Sequence, residues 1–94
     1  AAFLVDAHAL AAELARLADR DEDVAVLART APRPAEFEGR WIDVPRDAEA
    51  YARDLYANLR ALDASPSDAI LIEAPPDEAA WLAVRDRLAR ATHR

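Results

Sequence analysis

Residues 47–73 read DAEAYARDLYANLRALDASPSDAILIE, and the change of period inside this stretch decides the fold class. Ala48, Ala52, Leu55, Leu59 and Leu62 recur at steps of four, three, four and three, which lines one face of an α-helix. The spacing predicts a helix over 47–64 with a charged outer face. Ser65-Pro66-Ser67-Asp68 turns the chain, and Ala69-Ile70-Leu71-Ile72 is apolar without alternation, as in a strand covered on both faces. Pro75-Pro76 stops it. A doubly covered strand next to an amphipathic helix is the pattern of an α/β sheet.

Moving outward, the same grammar repeats. Downstream, Pro76 suits the first position of a last helix, where its missing N–H is not needed, and Asp77 and Glu78 complement the positive end of the helix dipole. Trp81, Val84, Leu88 and Ala91 form its buried stripe. Upstream, Trp41 to Val44 reads as a strand closed by Pro45, and Val24 to Ala28 as a strand buried on both faces. Between them, Arg29 to Gly39 holds Pro32, Pro34 and the single glycine, the least regular stretch of the chain. Leu10, Leu14 and Leu17 mark a helix over 7–19 that follows the short run Phe3-Leu4-Val5, with Asp6 placed to cap it through its carboxylate. The order strand, helix, strand, strand, helix, strand, helix predicts a Rossmann-like three-layer α/β domain. It has about four mainly parallel strands in the order 3-2-1-4 and three helices.

Ninety-four residues make one domain with a modest core, which buries about two thirds of the surface exposed by the unfolded chain. Composition narrows the chemistry. The chain has no Cys and one Gly, and all its twelve basic residues are Arg. A thiol nucleophile, a Cys-based zinc site, a Gly-rich dinucleotide turn, a phosphate-loop lysine and a Schiff-base lysine are therefore excluded. The two histidines, His8 and His93, stand near opposite ends of the sequence. A net charge of −6 opposes non-specific binding to nucleic acid or an anionic membrane. No apolar run approaches the roughly 20 residues of a membrane span, and no signal peptide is visible, so a cytoplasmic location is expected. The chain opens at Ala1 and enters an apolar run almost at once, which suggests a piece of a longer protein.

Few residues invite a chemical reading. Asp6 and Glu73 close two predicted strands and can be read as a carboxylate pair, although capping and solvation account for them more simply. His8, in the first turn of a helix without a Ser or Cys beside it, reads as a surface histidine. Arg87, Arg90 and Arg94 share one helical face, where a phosphate-binding stripe competes with an Asp86–Arg90 pair and favourable placement near a helix C-terminus. Tyr56 lies between Arg53 and Arg60 at helical spacing, so that a guanidinium can stack on its ring.

Three segments also resemble a known family in order and spacing: Leu55-Tyr56-Ala57-Asn58-Leu59-Arg60-Ala61-Leu62-Asp63, then Asp68-Ala69-Ile70-Leu71-Ile72-Glu73, then Ala83-Val84-Arg85-Asp86-Arg87-Leu88-Ala89-Arg90-Ala91. Together they are similar to the C-terminal domain of the two-domain L-threonylcarbamoyladenylate synthases, the YrdC/YwlC/Sua family. The likeness covers about the second half of the chain, and the first half shares only the strand-helix-strand layout. It departs from the family at Pro76-Asp77-Glu78, where a Gly-Leu-Gly type turn is common.

The resemblance implies that residues 1–94 form a C-terminal accessory domain without catalytic, cofactor-binding or metal-binding residues. Its partner is the YrdC-like catalytic domain of the same chain, with no direct nucleic-acid or membrane contact. That absent domain is a nucleotidyltransferase that uses ATP and magnesium to make threonylcarbamoyl-AMP from threonine and bicarbonate. Its product feeds threonylcarbamoyladenosine modification of tRNA. Arg60, Asp63 and Arg87 are then expected to hold the domain together, as a cross-helix ion-pair cluster, or to dock it to its partner. The alternative is a stand-alone Rossmann-like module that binds a small ligand or a protein.

Overall fold

A parallel sheet forms where the sequence places its four apolar runs. The computed structural model describes residues 2–92. Strands β1 (Ala2–Val5), β2 (Val24–Ala28), β3 (Arg40–Asp43) and β4 (Ala69–Glu73) are joined with helices α1 (Ala7–Asp19), α2 (Ala48–Ala64) and α3 (Leu82–Ala91). A single 3-10 turn, Ala79–Trp81, leads into α3. All neighbouring strands pair in parallel, in the order β1-β4-β2-β3. The α/β class is as expected, but β4 stands where the order 3-2-1-4 would put β1. Burial explains the exchange. All five residues of β2 and four of the five in β4 are buried, whereas β1 has only four residues and exposes Phe3. The best-covered runs take the centre, and the two four-residue strands, β1 and β3, take the edges.

Alternation along the strands divides the core in two. Val24, Val26, Ala28, Ala69 and Leu71 face α1 and meet Leu10, Leu14 and Leu17. Ala25, Leu27 and Ile72 face the other way, against Tyr51, Leu55 and Leu62 of α2 and Val84 and Leu88 of α3. The domain thus has three layers, with α1 on one face and α2 and α3 on the other.

Helix ends follow local chemistry, with two departures from expectation. Asp47 caps α2, its carboxylate accepting the Ala50 N–H at 2.9 Å. Asp6 occupies the corresponding position before α1, but its side chain makes no cap bond and the Ala9 N–H donates to its backbone carbonyl instead. The last helix begins at Leu82, six residues after Pro76. Glu78 is extended, and Asp77 sits beside Arg85, whose Nη1 donates to the Pro75 carbonyl at 2.7 Å. The prolines and acids therefore belong to a pinned connection and not to a first helical turn.

α1 closes with two bonds, from the Glu22 N–H to the Leu17 carbonyl and from the Asp21 N–H to the Ala18 carbonyl. This places Asp21 at φ 57°, the left-handed position that such a terminus requires. Gly39 is demanded by close approach: a Cβ there would lie 2.0 Å from the Val24 carbonyl oxygen. No helix among the described residues is long and apolar enough to cross a membrane.

Candidate functional site

In open α/β sheets, ligands gather beyond the carboxyl ends of the strands, and here that edge is dominated by Glu73. Its side chain is 2% exposed. One carboxylate oxygen, Oε1, accepts three successive main-chain N–H groups, from Arg29 at 2.7 Å, Thr30 at 2.8 Å and Ala31 at 3.0 Å. The other, Oε2, accepts the Thr30 hydroxyl at 2.6 Å. Converging backbone N–H groups of this kind form an anion nest, and the anion it holds is part of the chain. Burial opposes ionisation of Glu73, but the hydrogen bonds from Thr30, Ala31 and Arg29 outweigh it and hold the carboxyl below its ordinary value.

The residues under this edge are tied to the same charge. The Arg29 guanidinium lies 5.0 Å from the centre of the Trp81 ring and donates through Nη1 to the Arg46 carbonyl. Its Nε is the one buried side-chain nitrogen or oxygen without a partner among the described residues. Tyr51 meets Trp81 edge to face at 5.2 Å. Burial, followed by the Glu73 charge, pushes its hydroxyl up to about 12, with Arg29 opposing. A carboxylate saturated with donors and closed to solvent is poorly placed to take a proton from a substrate. Glu73 is neither a solvated strand end nor half of a pair with Asp6, since among the described residues every hydrogen bond its carboxylate accepts comes from residues 29–31, and Asp6 is exposed.

A second feature lies on the α2–α3 face. Between the later halves of these helices and the start of β1 is a groove of about 420 Å³. Leu59, Leu62, Ile70 and Ile72 line its apolar part, and Arg60, Asp63, Arg87 and Arg90 its charged part. The three residues singled out by sequence thus meet in one place. Among the described residues, however, no ion pair joins Arg60, Asp63 and Arg87. Arg60 instead lies 4.8 Å from the centre of the exposed Tyr56 ring, and Arg90 pairs with Asp86 at 2.6 Å. His8 is exposed, and Arg94 and His93 fall outside the described residues.

On the opposite face, a groove of about 720 Å³ between α1 and the β2–β3 connection is lined by Asp19, Asp21, Glu22, Asp23, Glu36 and Glu38. Among the described residues, no three His, Asp or Glu side chains are grouped to hold a metal ion.

The profile of a family described as the C-terminal domain of threonylcarbamoyl-AMP synthase matches residues 2–92. The chain belongs to that family. The match extends through both halves of the domain, beyond the second-half motifs that carry the resemblance. No curated protein and no solved structure matches the chain. In this synthase domain, the helical motif that contains Arg60 and Asp63 and the one that contains Arg87 form the two walls of the groove.

Sequence reasoning missed the role of Glu73 because nothing local announces a carboxylate whose partners lie more than forty positions away. The available signal was a charged residue that directly continues a doubly buried strand. Such a position must find donors or destabilise the fold.

Proposed function

We propose that this chain is a non-catalytic accessory domain of a threonylcarbamoyl-AMP synthase, a scaffold that packs beside the catalytic part of the same polypeptide and takes no part in bond making. The observation that carries the reading is the occupancy of the anion nest. In a Rossmann-like sheet, a phosphate would be recognised by free N–H groups at the carboxyl edge, and here Glu73 consumes three of them. Composition supports the same conclusion, since a chain without Lys and with a single Gly has no phosphate loop.

In this reading, ATP and magnesium belong to the catalytic domain, and the link to tRNA modification comes through its product. The test is incubation of the 94-residue chain with ATP, magnesium, threonine and bicarbonate, following pyrophosphate. Release at the rate of a protein-free control is expected, and enzyme-dependent release would overturn the proposal.

A further inference from the structure

The groove between α2 and α3 is where an acidic chain presents arginine beside apolar surface. Several exposed arginines have no carboxylate partner among the described residues, Arg33, Arg40, Arg46, Arg53, Arg60 and Arg87, and of these Arg60 and Arg87 line the groove. Arg60 is also held in place, stacked on Tyr56, so little freedom is lost when it meets an anion. Among the described residues, Asp63 is the one acidic residue lining the groove, and Leu59 is only partly buried there.

We propose that this groove seats the stretch of synthase polypeptide that leads into β1. That stretch would be an acidic segment whose apolar side chains rest on Leu59 and Ile70 and whose carboxylates meet Arg60 and Arg87. The inference rests on the accessory-domain reading and adds its docking surface. Chain continuity supports it, because Ala2, where β1 begins, itself lines the groove. In a C-terminal domain, the polypeptide that precedes β1 therefore arrives at the groove mouth, and a tethered segment binds at high effective concentration.

The chemistry favours a peptide over a phosphate ligand. The walls come from the later halves of both helices and not from helix N-termini, so the groove offers guanidinium and apolar contacts without the main-chain N–H donors on which a phosphate site is built. Paired guanidiniums beside an apolar surface suit carboxylate and hydrocarbon side chains together.

The test is limited proteolysis of the full-length synthase, with cleavage before β1 read by mass spectrometry. The segment should be protected in the wild type. In the Arg60→Glu/Arg87→Glu double variant it should be cut about tenfold faster, as expected for two charge contacts replaced by repulsion, with the melting temperature unchanged. Arg53→Glu, on α2 but outside the groove, should behave as wild type. If the double variant does not fold, Arg87→Gln alone should speed cleavage about threefold, the share of one contact.

Equal cleavage of all variants would overturn the proposal. So would protection that depends on protein concentration, as for a second copy, or that appears only when inorganic phosphate is added. The accessory reading fails by a different result, pyrophosphate release by the 94-residue chain, which leaves the proteolysis pattern untouched.

Discussion

Glu73 shows how one residue can hold two distant parts of a chain. Its carboxylate ends β4 and fixes the first three residues after β2, so its ionisation is linked to folding. Because its carboxyl is depressed in the folded state, its contribution is fully present above the unfolded value of about 4.3. That contribution disappears as pH falls through the lower folded value. Urea midpoints between pH 7 and pH 3 should therefore drop more steeply below about pH 4.5 for wild type than for Glu73→Gln. Parallel curves would mean that the nest does not hold a carboxylate.

Asp21 offers a second test at the same scale. It carries a side chain where a left-handed backbone is needed, a conformation that favours glycine. Asp21→Gly should raise stability by about 0.5–1 kcal/mol, measured by denaturant titration, and a loss of stability would contradict this terminus.

At the level of elements, packing decides what spacing alone left open. The stripe on α2 was legible, but its face is turned toward Tyr51, which is 2% exposed, while Ala52 is exposed and Leu59 only partly buried. A tyrosine reads as polar in a periodicity count, and only the edge-to-face contact with Trp81 shows why it is inside. Leu62→Ala should cost about 2–5 kcal/mol, as for a fully buried leucine. Leu59→Ala should cost less, roughly 1–2 kcal/mol, since Leu59 packs against the core but is only partly buried. Equal losses in chemical denaturation would show that the helix is turned differently.

The four strands and three helices were readable because each carries its own period or a doubly buried run. The strand order was not, because it depends on which strands are covered best. The start of α3 was misplaced for a related reason. Pro76, Asp77 and Glu78 carry the markers of a helix start, but the bond from Arg85 to the Pro75 carbonyl holds the connection outside the helix. Of the candidate site, the residues on the two helical motifs were visible in sequence, and their meeting in one groove required the fold. Ala91, assigned to the buried stripe of α3, is exposed at that groove.

On the scale of the whole molecule, the two poles of the sheet have different characters. The carboxyl edge, where relatives of this architecture bind ligands, is closed by the protein's own Glu73. The other pole has an acidic groove on the α1 face and an arginine-lined groove on the α2–α3 face, beside the start of β1. The proposed accessory role accounts for this division, since the buried charge of Glu73 serves the domain's own loop. The most direct measurement of that claim uses Glu73→Gln in the full-length synthase, recording thermal unfolding of this domain and threonylcarbamoyl-AMP formed per folded molecule. The midpoint should fall by several degrees, as expected for a loss of about 1–3 kcal/mol from a charged hydrogen-bond network, with turnover per folded molecule unchanged. An unchanged midpoint with collapsed turnover would place Glu73 in the chemistry and contradict the account.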